Sequence, residues 1–240
     1  ERCIRERSLG DGTSLAKEAS DITIIDNSFS SIGKAVMWGR SRFENILRFL
    51  LIQLTVNVTA CFLVLCGAFM GTESPLTVTQ MLWINLIMDT FAAMALASLP
   101  PSESVMKDRP RDRNAFILNK PMLREIIGVG GFFFLMLLGM LYIFQHAEVN
   151  QLTDLLHLQL GAKGHVSTYE LTLLFTTFVM THFFYLFNAR AFETGRSALH
   201  FKGCNGLLMI VAIILIGQIA MVELPGLQQF FNVEGLKLMD

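Results

Sequence analysis

Five long runs almost free of charge constrain this chain more than any other feature. They are Phe49–Thr72, Ser74–Ser102, Ile126–Ala147, Leu171–Ala189 and Gly203–Val222. A bilayer core of about 30 Å needs about 20 mostly apolar residues per helix. Each run is of that order. Asp89 is the only Asp, Glu, Lys or Arg inside any of them. The composition agrees: 16% of residues are charged and 52% hydrophobic. Soluble domains carry roughly 25% charged residues. The expected fold is an all-α membrane protein, a bundle of five transmembrane helices with a short cytoplasmic N-terminal segment. Disordered chains and coiled coils are excluded. A net charge of −1 gives no bulk attraction to nucleic acid, so none is expected as a partner.

Basic residues between the runs give an orientation. Seventeen of the 19 lie before span one, between spans two and three, and between spans four and five. The other two are Lys163 and Lys237, on the opposite connections. The positive-inside rule then puts the N-terminus in the cytoplasm and the C-terminus outside.

The connections give the organisation. Residues 1–30 are the soluble-looking stretch, with alternation at Asp21–Asp26 that suggests one strand. Residues 31–240 form the membrane part, with spans at about 46–71, 78–99, 123–146, 169–189 and 204–222 and an outer tail at 223–240. Residues 31–48 are amphipathic and read as a helical stalk entering span one. Glu73-Ser74-Pro75 makes a tight outer turn, so spans one and two are expected as antiparallel neighbours. Pro100-Pro101 ends span two, because proline lacks the N–H and clashes with the preceding turn. The start at Glu1 and the odd number of spans lead to the expectation that the chain is cut from something longer. Cys3, Cys61, Cys66 and Cys204 form no metal-ligand spacing. Cys61 and Cys66 are expected to be small buried hydrophobes.

Chemistry is expected where a carboxylate lies at depth. On insertion scales it costs about 2.5–3.5 kcal/mol there. Asn85 is one turn before Asp89, on the same helix face. Asn57 lies mid-way along span one, with Gln53 a turn earlier. Antiparallel spans would let Asn57 face Asn85 and Asp89. One carboxylate and two amide carbonyls suit a hard cation such as calcium, which takes six to eight oxygens. Further ligands must come from elsewhere. The bland alternative is interhelical hydrogen bonding by the same residues. His182 could handle protons or bond to a neighbouring helix. Gln218 and Asn188 read as interhelical glue or interface anchors. Phe132–Phe134 reads as lipid-facing or packing surface. Gly67 and Gly71 make one GxxxG without functional weight.

Several stretches together resemble a known family. Ala16-Lys17-Glu18-Ala19-Ser20-Asp21-Ile22 and Asp26-Asn27-Ser28-Phe29-Ser30-Ser31-Ile32 resemble the close of the phosphorylation domain of P-type cation ATPases. Gln53-Leu54-Thr55-Val56-Asn57-Val58 and Gln80-Met81-Leu82-Trp83-Ile84-Asn85-Leu86-Ile87-Met88-Asp89-Thr90 resemble the fifth and sixth spans of calcium pumps, nearest the plasma-membrane type. Leu99-Pro100-Pro101-Ser102-Glu103, Arg109-Pro110 and Phe187-Asn188-Ala189-Arg190 extend the match.

The resemblance implies that this chain supplies spans five to nine of a ten-span pump. It implies Asn57, Asn85 and Asp89 as calcium ligands, completed by a Pro-Glu motif on a fourth span that this sequence lacks. Relatives of the endoplasmic-reticulum type hold a second site, where this chain has Ala60 and Val179. One calcium per cycle is therefore implied. Gln53 and His182 are polar or proton-handling helpers at most. The D-K-T-G-T phosphorylation motif is absent. ATP and magnesium are implied for the intact pump only, and the polypeptide alone is expected to be inactive. The implied partners are calcium, the lipid bilayer and the N-terminal part of the same pump, at the plasma membrane. The rival readings are a secondary cation transporter or channel segment, and a P-type pump for another hard cation such as manganese.

Overall fold

In the computed structural model, described residues are 7–20, 22–26, 28–72, 74–101, 103–109, 116–149, 161, 164–192 and 205–236. The expectations for Cys3, Cys204 and Lys163, and for most of the loop 148–170, fall outside them. The chain divides into two compact units, residues 1–46 with 100–117 and residues 47–99 with 118–240. The boundary expected from the sequence lies at 30–31 instead.

The first unit opens with β1 (Arg7–Leu9), α1 (Ser14–Glu18) and β2 (Ile22–Ile24). The two strands pair in parallel, with Arg7 opposite Ile22 and Leu9 opposite Ile24. The single strand expected near Asp21–Asp26 therefore has a partner. A three-residue strand at 7–9 is too short to show the alternation that marks one. Thr13 caps α1, its hydroxyl accepting from the N–H of Ala16 at 3.3 Å. Helix α2 (Phe29–Phe69) follows without a break, so stalk and span one are one helix of 41 residues. Arg40 donates to the carbonyls of Val105 and Asp108, both at 2.9 Å, and so holds the 3₁₀ turn Glu103–Met106. That turn buries Val105.

The second unit holds the remaining spans. Span two is three pieces in one line: α3 (Val78–Leu82), a π-helical turn (Trp83–Met88) and α4 (Asp89–Ala97). Spans three, four and five are α5 (Lys120–His146), α6 (Thr168–Ala191) and α7 (Asn205–Glu223). All five helices are long and apolar enough to cross a membrane. A short helix, α8 (Pro225–Phe231), occupies the stretch expected to be an outer tail. Proline at its first position is suited to helix initiation.

Close packing joins α4 to α7 and α5 to α6. The core contains Leu63, Ile84, Leu137, Phe175 and Phe178, each fully buried. Many other large apolar side chains point outward, including Phe62, Leu86, Phe132 and Ile216. That inversion is what a chain solvated by lipid shows. It also corrects the expectation for the cysteines: Cys61 is exposed and Cys66 half-buried. An apolar residue in hydrocarbon gains nothing from turning inward, so apolarity alone does not predict burial there. The phenylalanine cluster divides: Phe132 is exposed, Phe133 packs on Tyr185 and His182, and Phe134 on Phe62.

The glycines of the GxxxG serve the turn between spans one and two. Gly71 has φ +73, and a Cβ on Gly67 would stand 2.4 Å from Cγ of Pro75. At the same end, Gln145 of span three donates to the carbonyl of Met70 at 2.9 Å.

Candidate functional site

Span two begins with a complete capping box. The Thr77 hydroxyl accepts from the Gln80 N–H at 3.3 Å, and the Gln80 Oε1 accepts from the Thr77 N–H at 3.0 Å. This satisfies amides that the helix start leaves open. The helix then widens. The Asp89 N–H reaches back five residues to the carbonyl of Ile84. The Thr90 hydroxyl donates to the carbonyl of Leu86. π turns are rare, occur mostly as single turns inside α-helices, and are frequent at functional sites.

Asp89 ends this turn and is 4% exposed. Its Oδ2 has no hydrogen-bond partner among the described residues. An unsatisfied buried carboxylate oxygen is uncommon enough to need a cause, and an ion is one such cause. Asn85, expected on the same face, is exposed. The sequence reading assumes α-helical spacing between the two, whereas the turn between them is π-helical. Asn57 is half-buried on span one, and so is Gln53. Among the described residues no hydrogen bond joins Asn57, Asn85 and Asp89. Their side-chain oxygens are therefore not consumed by one another.

Other polar groups of the spans are satisfied locally. Thr55 donates to the carbonyl of Leu51 and Thr59 to that of Thr55, both at 2.8 Å. Thr59 also reaches the carbonyl of Gly130 on span three at 3.3 Å. Such back-bonding to the residue four earlier is the usual fate of a threonine inside a helix. Ala60 and Val179 are buried and apolar, with no oxygen to offer a second ion.

His182 is fully buried, and its Nδ1 lies 2.6 Å from the carbonyl of Phe178 on its own helix. That carbonyl can only accept, so Nδ1 carries the proton. The neighbouring helix offers the rings of Phe133, not a hydrogen-bond partner. Nε2 has no partner. Gln218 of span five does act as interhelical glue, its Oε1 accepting from Nε1 of Trp83 at 3.2 Å. Asn188 is exposed near the end of span four.

Sequence reasoning missed Glu170. It is fully buried in the first turn of span four, where it completes a capping box with Ser167. The pattern Ser167-x-x-Glu170 is the signal that finds it. No group of three or more His, Cys, Asp or Glu residues that could hold a metal occurs among the described residues. A cation held here would depend on amide and backbone oxygens beside one carboxylate.

The family described as "Cation transporting ATPase, C-terminus" matches residues 73–240. The chain belongs to this family. Among its relatives, "Plasma membrane calcium-transporting ATPase 2" of Oreochromis mossambicus is 41% identical over 186 residues, covering 78% of this chain and 16% of that protein. "Plasma membrane calcium-transporting ATPase 4" of Bos taurus is 38% identical over 223 residues, covering 90% of this chain and 18% of the relative. The human protein of the same description is also 38% identical, over 221 residues, with 90% and 17% covered. The chain thus spans less than a fifth of the length of these family members. The match begins within the turn between spans one and two, so it takes in Asn85 and Asp89. Asn57 lies before it.

Proposed function

We propose that this chain is the membrane transport part of an ATP-driven calcium pump, with Asp89, Asn85 and Asn57 supplying oxygens to the transported ion. The observation that carries this reading is the buried Asp89 carboxylate, with an unpartnered oxygen at the end of a π-helical turn. Its hard-oxygen neighbourhood suits calcium. The names of the relatives support calcium as the substrate and the plasma membrane as the location. The exposure of Asn85 and partial exposure of Asn57 accord with a further ligand-bearing helix completing the shell. Gln53 and His182 enter as polar neighbours, not as ligands. ATP and magnesium act elsewhere in the intact pump, and residues 1–30 close its phosphorylation domain. The basic connections support an N-terminus in the cytoplasm and a C-terminus outside.

Asp89→Asn in the intact pump tests the site. The variant should accumulate in the membrane and lose calcium-activated ATP hydrolysis. Unchanged calcium dependence would overturn the reading. Running the wild type with calcium and with manganese assigns the substrate.

A further inference from the structure

Trp83 is the first residue of the π turn, and span five grips it. Its indole N–H donates to Gln218 Oε1 at 3.2 Å. Its benzo edge lies so near Gly217 that a Cβ there would stand 3.2 Å from Cη2 and 3.4 Å from Cζ2. The ring of Phe231, from α8, meets the indole edge-on with centroids 5.6 Å apart. Just before the turn, Gln80 is 2% exposed and donates from Nε2 to the Phe231 carbonyl at 3.2 Å. Three residues outside span two, Gly217, Gln218 and Phe231, thus meet it where the π turn starts.

That start decides where Asp89 points. A π turn accommodates one residue more than an α-helix fixed at the same ends. Closing it to α-helix turns everything beyond by about 100°. Wider i→i−5 bonding is seldom favoured locally, so contacts from outside must select it. Asp89 lies six residues after Trp83, at the far end of the turn.

We propose that Gln218 is a positioning residue for the ion site: by holding Trp83 it holds the π register that orients Asp89. The proposal rests on the reading of Asp89 as an ion ligand. Gln218 acts through Trp83 and takes no place among the ligands. Its hydrogen bond is partly buried, and its loss leaves the indole N–H without that acceptor.

The test uses the intact pump with Gln218→Leu, Trp83→Phe and the two combined. The readouts are calcium activation of ATP hydrolysis, maximal rate at saturating calcium, and abundance in the membrane. Each single variant should raise the half-activating calcium concentration about tenfold, equivalent to one such hydrogen bond. Maximal rate should stay within about twofold, since register affects ion binding before it affects ATP chemistry. The double variant should be no worse than either single one. Gln218→Glu keeps an acceptor at the same reach and should restore most of the affinity. An unchanged calcium requirement in Gln218→Leu, or additive losses in the double variant, overturns the proposal. Should Gln218→Leu fail to accumulate, Trp83→Phe decides, because it keeps an aromatic ring and removes the donor. Asp89→Asn separates the two claims. If it abolishes calcium activation while Gln218→Leu changes nothing, positioning fails and the site stands. If it leaves calcium activation intact, the site reading itself fails.

Discussion

Glu170 accepts the backbone N–H of Val149 at 2.9 Å with Oε1 and that of Ser167 at 2.8 Å with Oε2. A single buried carboxylate therefore fixes both ends of the connection between spans three and four. Its charge is offset by amide donors, which is how a buried acid is tolerated.

Glu170→Ala should remove both bonds and leave two buried amides without those acceptors. The expected cost is about 2–4 kcal/mol, from charge-assisted bonds at about 1.5–3 each with partial rescue by water. Thermal unfolding in detergent should show a clear drop in midpoint. Calcium affinity of the surviving folded fraction should not move. A midpoint equal to wild type would mean that the two amides find other acceptors.

Gly67→Ala and Gly71→Ala should each destabilise the turn between spans one and two, for different reasons. At Gly67 the new methyl meets Pro75 at 2.4 Å. Overpacking of this kind costs about 1–3 kcal/mol. At Gly71 there is open space, but φ is +73. A left-handed backbone costs an L-residue about 1–2 kcal/mol. Gly128→Ala, a span-three position with nothing within 4 Å, serves as control and should be neutral. Equal stability of all three variants would argue against this account of the turn.

Asp26 gives a pH dependence outside the bilayer. Its carboxylate accepts from the Ser31 hydroxyl and from the Ser28 N–H. These bonds, the larger from Ser31, with a smaller contribution from the charge of Lys34, hold it below the ordinary 3.8. A depressed folded value means the contribution is present above 3.8 and is lost as pH falls through the folded value. The start of α2 should therefore loosen only under acid conditions. Hydrogen exchange at residues 29–32, followed from neutral pH downward, should accelerate in wild type once corrected for intrinsic rates. Asp26→Asn should flatten that pH profile. A wild-type profile already flat would refute the assignment.

The five spans are legible because burial in hydrocarbon imposes a length and forbids charge, and both are written in the residue order. Asp89 is legible for the same reason: it is the exception. What stays hidden is whatever depends on a partner distant in sequence. Nothing in Trp83–Met88 announces a π turn, and the residues that meet its start, Gln218 and Phe231, lie more than 130 residues after Trp83. Asn85 was expected beside Asp89 on one α-helical face, and the widened turn separates them in exposure. Cys61 resisted for a subtler reason: in lipid an apolar side chain is content on either face. Glu170 was readable from the Ser167 capping pattern, but it lay at the edge of a run scanned for absence of charge.

The tight turn at Gly71 and Pro75 has a consequence for biogenesis. Span two is the least apolar of the five, and it carries an acid. A segment of that kind partitions poorly from the translocon on its own. Span one carries no charge through the bilayer and is joined to it by a handful of residues, with Gly67 seated against Pro75. The two would enter the bilayer as a hairpin, the first carrying the second. In an insertion assay, residues 74–102 alone should integrate less completely than residues 46–102. Asp89 would then enter the bilayer on its neighbour's apolarity.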